Sequence, residues 1–216
     1  MEQGKGTRLV IWDWNGTLLD DTELCYRIAN DMRVERGMAP LPDVEAYRRV
    51  FRFPIIDYYR AMGYTFETES YESISVEFHR LYEARSQDCP LYPEAKDALL
   101  AVRRRGVDQL LLSVSKQERL ERQARAAGVD GCFSHILGQR DDLGAGKAEM
   151  ARQVIAGSGL SPQQALFVGD TDHDAQIAAA VGCRCVLLTK GHQSRETLRR
   201  CGVPLVDSLL DLLPLL

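Results

Sequence analysis

Several common signatures are missing from this sequence of 216 residues. No uninterrupted apolar run reaches the ~18 residues that a membrane-spanning helix needs, and the first eight residues are too polar for a signal peptide. The six cysteines form no C-x-x-C pair, which argues against a zinc site or a disulfide framework. We therefore expect a cytoplasmic protein with reduced thiols and no membrane partner.

An excess of positive charge is also missing. The formal net charge is -4, which does not favour binding to nucleic acid or to an acidic membrane surface. The densest basic run, residues 103–105, ends a helical pattern, where the helix dipole favours positive side chains. The sequence therefore predicts no nucleic-acid partner.

Common nucleotide-binding motifs are absent as well. The chain contains no G-x-G-x-x-G pattern. Residues 4–7 resemble the end of a P-loop, but they precede the first predicted strand instead of following it. The sequence thus predicts neither a dinucleotide site nor a P-loop.

What the sequence does contain is an alternation of short apolar runs and helical patterns. Runs typical of buried parallel strands cover residues 9–12, 110–112, 165–168 and 185–188. Helical patterns cover residues 94–105, 117–127, 148–156, 174–181 and 195–200. The alternation predicts an α/β fold with a doubly wound parallel sheet, in which ligands bind at the carboxyl ends of the strands.

One segment interrupts this alternation. Between about residues 21 and 90 only helical patterns occur, at 23–36, 44–51, 55–61 and 71–84. The segment leaves the first strand and returns before the second, so it predicts an α-helical cap domain inserted into the core. We expect a core of residues 1–20 and 91–216 and a cap of residues 21–90, a size that suits one domain with a modest insertion.

Polar residues that can carry chemistry follow the predicted strands. Asp13 comes directly after the first strand and is followed by Asn15, Gly16 and Thr17. A carboxylate at a strand end can project into a crevice, and the glycine permits a tight turn whose N–H groups can hold an anion. A hairpin turn at residues 15–16 is the alternative, but no second strand follows within hairpin distance.

Two further positions could bind an anion. Ser113 ends the second strand and offers its hydroxyl, together with neighbouring N–H groups such as that of Val114. Ser115 is a rival for the same role. Lys147 begins a helical pattern, where its positive charge adds to a helix end that already favours anions.

An acidic cluster, residues 169–174, follows the strand at 165–168. Hard oxygen ligands such as those of Asp170 and Asp174 suit Mg²⁺, which takes one or two carboxylates and keeps several waters. A calcium loop is the competing interpretation, but its glycine is missing at Ala175 and its glutamate at Val181.

The order and spacing of these motifs resemble the haloacid dehalogenase superfamily, in its branch with a helical cap after the first strand. Residues 13–17 resemble the D-x-D-G-T motif, Ser113 the strand-ending Ser or Thr, Lys147 the isolated lysine, and Asp170 with Asp174 the acidic metal motif. The likeness spans about residues 9–190. Its general pattern is similar to that of phosphoglycolate-phosphatase-like members.

The resemblance implies a Mg²⁺-dependent phosphatase that acts on a small phosphorylated metabolite. Asp13 would attack phosphorus and form an aspartyl-phosphate. Asp13, Asp170 and the backbone carbonyl of Asn15 would hold Mg²⁺, and Asp174 would orient Lys147 or a metal-bound water.

The resemblance also implies a set of groups that bind the phosphoryl oxygens and stabilise charge during transfer. These are the first-loop residues Gly16 and Thr17, together with Ser113, Val114 and Lys147. The sequence leaves the oligomeric state open between a monomer and a homodimer.

Asn15 departs from the family pattern. Phosphatases of this family carry a second carboxylate there, which protonates the leaving oxygen and then activates water. An amide forms hydrogen bonds but does not exchange a proton at neutral pH, and general acid–base catalysis is typically worth ~10²–10⁴-fold.

Several interpretations of Asn15 stay open. The substrate has a good leaving group, as in an anhydride or acyl phosphate, or another group such as His173, Asp20 or a cap side chain supplies the proton. Alternatively, the protein is a catalytically weak phosphate-site binding protein or a phosphotransferase.

The cap is expected to select the substrate. Arg52, Tyr58 and Tyr59 are the candidates, since Arg can pair with a carboxylate or phosphate and Tyr can stack or donate a hydrogen bond. The histidines at positions 79, 135 and 192 have no partner pattern, so we expect structural or surface roles for them.

Overall fold

The apolar run Leu9–Trp12 is buried along its whole length and forms β1, a central strand of the sheet. The computed structural model describes residues 6–139 and 146–216. The other strands are β2 (Asp108–Lys116), β3 (His135–Gln139), β4 (Ala165–Gly169), β5 (Arg184–Leu188) and β6 (Leu205–Val206). All neighbouring strands pair in parallel, in the order β3-β2-β1-β4-β5-β6.

The register of the central strands determines where the predicted site residues meet. Trp12 at the end of β1 pairs with Leu111 of β2 and Val168 of β4. β2 continues to Lys116, so Ser113 lies within this strand and does not end it as predicted. The chain leaves β1 and β4 at one edge of the sheet. This is the carboxyl edge, where ligands bind in open α/β sheets.

Helices cover both faces of the sheet. They are α5 (Ala95–Arg104), α6 (Gln117–Ala126), α7 (Lys147–Ser158), α8 (Asp172–Val181) and α9 (Arg195–Arg199). Val10 and Trp12 pack into one apolar cluster with residues of α5 and α6, whereas Leu9 and Ile11 pack into a second cluster with residues of α7 and α8. Because side chains alternate along a strand, β1 supplies both cores, and the predicted doubly wound α/β fold is confirmed.

Four helices lie between β1 and β2 in the chain. They are α1 (Thr22–Glu35), α2 (Val44–Val50), α3 (Ile55–Ala61) and α4 (Tyr71–Arg85). Residues from all four share an apolar cluster of their own, which includes Ile28, Tyr47 and Ile74. A separate core of this kind fits an inserted helical cap. The division of the chain at residues 20/21 and 90/91 stays a prediction.

Two strands were not expected from the sequence. β3 contains only two adjacent aliphatic residues, Ile136 and Leu137, and β6 has only two residues in all. Both are edge strands, so they bury less apolar surface than the central strands and carry a weaker hydrophobic signal. Within the described ranges, no helix combines the length and apolarity needed to cross a bilayer.

Candidate active site

The loop after β1 folds back tightly onto the loop after β4. The backbone N–H of Asp13 donates to the carbonyl of Val168 at 2.8 Å, which places Asp13 beside the end of β4. Gly16 has φ +68°, and a Cβ there would lie 2.4 Å from Asp170 Oδ2. Glycine is therefore required by both the backbone conformation and the close approach of the carboxylate.

Lys147 connects two carboxylates across the site. Its Nζ donates to Asp13 Oδ1 at 2.6 Å and to Asp174 Oδ1 at 2.7 Å, and all three side chains are buried. Burial alone would lower the pKa of Lys147, but the charges of the two aspartates raise it above its usual value. The lysine is therefore a charged ammonium in the site.

Asp174 is fixed by the start of α8. Its Oδ2 accepts hydrogen bonds from the Thr171 hydroxyl at 2.7 Å, from the Thr171 N–H at 3.1 Å and from the Asp170 N–H at 3.2 Å. This is a capping box, reciprocated by the Thr171 side chain. Burial would raise the pKa of Asp174, but Lys147 holds it below its usual value. Both oxygens of Asp174 are thus engaged with protein donors.

Asp170 is completely buried beside this cluster. Its Oδ1 accepts a hydrogen bond from the Thr17 hydroxyl at 2.9 Å, and its Oδ2 accepts one from the His192 N–H at 2.7 Å. Burial raises the pKa of Asp13 to about 6 and that of Asp170 to about 7. Three carboxylates, of Asp13, Asp170 and Asp174, share the site with one lysine, so the site holds more negative charge than that lysine balances.

A divalent cation fits this arrangement. Carboxylate oxygens of Asp13, Asp170 and Asp174 lie within 4.8 Å of one another. Asp174 accepts four hydrogen bonds, three of them on Oδ2, whereas Asp13 and Asp170 accept two each, so the first two carboxylates keep more free lone pairs for a cation. Hard oxygen donors with excess negative charge suit Mg²⁺.

The side chain of Asn15 is held on both of its polar atoms. Its Nδ2 donates to Asp21 Oδ2 and to the Tyr82 hydroxyl, both at 2.7 Å, and its Oδ1 accepts from the Ser115 hydroxyl at 2.9 Å. Tyr82 also donates to Asp21 Oδ2 at 2.6 Å. Asn15 therefore connects the end of β2 to cap helix α4. The rival role of Ser115 as a phosphate ligand conflicts with this hydrogen bond.

His192 belongs to the same network, and it is buried, so of the two expected roles the surface one is wrong. Its Nε2 lies 3.3 Å from Asp21 Oδ1, its Nδ1 lies 2.9 Å from the Tyr47 hydroxyl, and its ring stacks on Phe51. Burial would lower the pKa of His192, but Asp21 raises it. A signal was available in the sequence, because His192 follows β5 at the carboxyl edge of the sheet.

The predicted phosphate-binding residues divide into two groups. Ser113, Val114 and Lys147 line a cavity above Asp13. Gly16 and Thr17 instead contact buried carboxylates, since the Gly16 N–H donates to Asp21 Oδ1 at 2.8 Å and the Thr17 hydroxyl donates to Asp170.

The cavity has a volume of about 240 Å³ and extends from Asp13 and Asp170 into the cap. Tyr58 and Tyr59, which were predicted to face the substrate, line it. Arg52 is exposed, and its Nε donates to the carbonyl of Val50 at 3.0 Å. The cavity walls in the cap are mainly aromatic and include Tyr47, Phe51, Phe53, Tyr58, Tyr59, Tyr71, Phe78 and Tyr82.

The two other groups considered as proton donors differ in position. His173 lines the cavity, and its ring stacks on Phe53 with centroids 4.6 Å apart. Asp20 is partly exposed, and its pKa is raised mainly by burial and also by the charge of Asp21.

The two other histidines lie in different places. His79 lines the cavity, whereas His135 is exposed at the start of β3.

Comparison with known proteins places this chain among hydrolases. A family model described as haloacid dehalogenase-like hydrolase matches residues 7–182. A phosphoglycolate phosphatase from Pseudomonas putida is 29% identical, over 96% of this chain and 79% of its own length. One from Synechococcus elongatus is 25% identical, over 94% of both chains.

Solved structures show the same fold. A predicted phosphoglycolate phosphatase from Haemophilus somnus superimposes with a TM-score of 0.77 over 97% of both chains, at 20% sequence identity. At this identity the likeness concerns the fold, and the chemistry has to be argued from the residues of this chain.

Proposed function

This chain belongs to the haloacid dehalogenase-like hydrolase family, and we propose that it is a Mg²⁺-dependent phosphatase that hydrolyses a small phosphorylated metabolite through a phosphorylated Asp13. The observation that carries the proposal is the buried cluster in which Lys147 bridges Asp13 and Asp174 beside Asp170. The cluster lies at the carboxyl edge of the sheet, on the floor of a cavity large enough for a small metabolite.

Asp13 is the proposed nucleophile because its side chain reaches the cavity and because its ionised form is stabilised. It lines the cavity, and Lys147 holds one of its oxygens, which stabilises the ionised carboxylate. In the first step a carboxylate oxygen of Asp13 bonds to phosphorus, and the bond from phosphorus to the leaving oxygen breaks. The leaving group departs with the electron pair.

In the second step water attacks the phosphorus of the aspartyl-phosphate. The bond between phosphorus and Asp13 breaks, the carboxylate is regenerated, and the protons of the attacking water remain with the inorganic phosphate. Lys147 is positioned to hold a phosphoryl oxygen in both steps, and Ser113 with Val114 lines the same part of the cavity. Gly16 and Thr17 support the site from the first loop.

Asp13, Asp170 and the backbone carbonyl of Asn15 would hold Mg²⁺. The closeness of the two buried carboxylates supports this assignment, as does the lack of any backbone hydrogen bond to the Asn15 carbonyl within the described ranges. The bound ion would draw negative charge from the phosphoryl oxygens.

A weaker function is the alternative, and Asn15 favours it. Its amide is hydrogen-bonded to Asp21, Tyr82 and Ser115, so it has no proton to exchange with the leaving group or with water. A phosphate-site binding protein with little turnover would have such a site. A phosphotransferase would release the phosphoryl group to an acceptor other than water.

The proposal is tested by phosphate release from a panel of phosphorylated metabolites, with Mg²⁺ and with a chelator. We expect Mg²⁺-dependent release, at least about a thousandfold lower in Asp13→Asn. Asp31→Asn changes an exposed carboxylate of α1 and serves as the matched control. Full activity in Asp13→Asn contradicts the nucleophile assignment. A silent wild type that Asn15→Asp activates supports the weak-binding alternative, and phosphate transferred to an added alcohol supports a phosphotransferase.

A further inference from the structure

We infer that the preferred substrate is an aryl phosphate, in which the phosphoryl group is esterified to the oxygen of an aromatic ring. This inference rests on the proposed phosphatase function and specifies its substrate class. It follows from the walls of the cavity, from the charges that line it and from the chemistry of Asn15.

The cavity walls suit a flat apolar group. Phe51 lies with ring centroids 5.1 Å from Tyr58 and 5.7 Å from Phe53, and Phe78 stacks on Tyr82 at 6.1 Å. All five rings line the cavity. Aromatic rings favour offset-stacked or edge-to-face contacts with other rings. An apolar cavity of about 150 Å³ already holds benzene, so about 240 Å³ accommodates a ring together with part of the phosphoryl group.

The charged residues that line the cavity do not suit a substrate with a carboxylate, such as phosphoglycolate. Within the described ranges, no Lys or Arg of the cap lines it. Outside the cap, Lys147 is engaged with two aspartates. Arg119 is already paired with Glu83 at 3.0 Å and lies over the Tyr82 ring. A substrate carboxylate would therefore compete with Glu83 for Arg119, among aromatic walls that do not solvate it.

The leaving-group chemistry agrees with the cavity. Because Asn15 cannot protonate the leaving oxygen, the leaving group has to depart as an anion. A phenol has a pKa of about 10, as in the tyrosine side chain, whereas the pKa of an aliphatic alcohol resembles that of water and is far higher. The oxygen–phosphorus bond of an aryl phosphate therefore breaks with the electron pair on a stable phenolate, which takes its proton from solvent. Acyl phosphates and anhydrides also leave well, but their polar groups do not match the aromatic walls.

The binding preference can be measured without turnover. Benzylphosphonate and 3-phosphonopropanoate are the methylene analogues of phenyl phosphate and phosphoglycolate, and neither can be hydrolysed. Calorimetric titration of the full chain with each, in the presence of Mg²⁺, should show benzylphosphonate binding at least about tenfold more tightly. Equal binding, tighter binding of 3-phosphonopropanoate, or binding of neither compound overturns the inference. The proposed phosphatase function is judged separately, from phosphate release.

A matched pair of cap variants tests whether the aromatic walls cause the preference. Phe78→Ala removes a partly buried ring that lines the cavity, and Phe66→Ala removes a partly buried cap ring outside it. We expect Phe78→Ala to weaken benzylphosphonate binding about two- to tenfold and to leave 3-phosphonopropanoate unchanged, with no effect of Phe66→Ala. Equal weakening of both ligands by Phe78→Ala, or the same loss in Phe66→Ala, overturns the inference.

Turnover supplies the second readout. For the wild type, kcat/KM should be at least about tenfold higher for phenyl phosphate than for cyclohexyl phosphate or phosphoglycolate. If phosphoglycolate or cyclohexyl phosphate is turned over as well as phenyl phosphate, the inference fails while the phosphatase function stands. If no substrate releases phosphate, the proposed function fails, and the binding preference then shows only what the cavity accepts.

Discussion

The carboxylate of Asp21 explains why position 15 carries an amide. The Asn15 amide donates to an Asp21 oxygen at 2.7 Å, and Tyr82 and the Gly16 N–H donate to the same carboxylate. Burial would raise the pKa of Asp21, but its hydrogen bond to His192 and the charge of that histidine hold it below its usual value. An ionised carboxylate at position 21 favours a donor at position 15, because two carboxylates at this distance cannot both be ionised without a large cost.

The substitution Asn15→Asp should therefore destabilise the protein, by about 1–3 kcal/mol in the free energy of unfolding at neutral pH. The cause is a carboxylate placed against Asp21 in a buried site. Adding Asp21→Asn should recover part of this loss, since the pair then again contains one carboxylate and one amide.

Urea unfolding of the wild type, both single variants and the double variant measures this coupling. We expect the double variant to lose less free energy of unfolding than the two single variants lose in sum. Additive losses would show that positions 15 and 21 do not interact, contrary to the hydrogen bond between them.

The metal-free protein should lose stability as pH rises from about 4 to about 7. Asp13 and Asp170 have an ordinary pKa of 3.8, and burial raises it to about 6 and about 7 in the folded state. The folded state therefore holds more protons than the unfolded state in this window. The two carboxyl groups stabilise the folded state fully below their ordinary pKa, and this stabilisation is lost as the pH rises above their raised pKa values. His192, whose pKa is also raised, acts in the same direction.

Thermal unfolding with and without Mg²⁺ checks this pH dependence. Mg²⁺ binds ionised carboxylates, so it should raise Tm by several degrees at pH 8 and much less at pH 5. Asp170→Asn removes one titrating carboxylate and should reduce both the slope of Tm with pH and the effect of Mg²⁺. A wild-type Tm that rises from pH 5 to pH 8 without metal would contradict the assignment.

At the scale of elements, the loop after β5 supports the acidic cluster and contacts the cap. The His192 N–H holds Asp170, while Arg48 of α2 donates to the carbonyls of Gly191 and Lys190. The Ser194 N–H donates in turn to the carbonyl of Arg48. This loop therefore joins α2 of the cap to the proposed metal site.

Gly191→Ala should damage the site while leaving the fold intact. A Cβ at Gly191 would lie 2.2 Å from Asp170 Oδ2, so the carboxylate would have to move. We expect at least about a hundredfold loss of Mg²⁺-dependent phosphate release, with a circular dichroism spectrum like that of the wild type. Gly131→Ala is the matched control, because a Cβ there meets nothing within 4 Å. Equal activity in the two variants would contradict the role given to this loop.

The predictability of the elements follows from how much apolar surface they bury. β1, β4 and β5 lie inside the sheet, and their continuous apolar runs identified them from the sequence alone. The edge strands β3 and β6 carry too few apolar residues to be recognised. The helical patterns of the cap matched the observed helices to within a few residues, since an amphipathic helix shows its buried face directly in the sequence.

At the scale of the whole molecule, the sheet brings together residues that are far apart in sequence. Asp13 and Lys147 are 134 positions apart and form a hydrogen bond of 2.6 Å. The resemblance to the family implied that Lys147 acts beside Asp13, whereas the strand edge alone did not predict it, because β3, the strand that precedes Lys147, was not recognised in the sequence. The sequence did not predict the network of Asp21, His192 and Tyr82, because those contacts depend on how the cap packs over the core. The family assignment itself is confirmed.

The central claim is that Asp13 accepts the phosphoryl group, and trapping the covalent intermediate tests it most directly. The chain is mixed with Mg²⁺ and its best substrate from the panel, quenched in acid during turnover, and digested for peptide mass spectrometry. Since Asn15 cannot take a proton from the attacking water, the second step should be slow, and phosphorylated Asp13 should accumulate. We predict one phosphoryl group on Asp13 in the wild type and none in Asp13→Asn. Steady turnover with Asp13 unmodified, or with the phosphoryl group on another residue, would contradict the account.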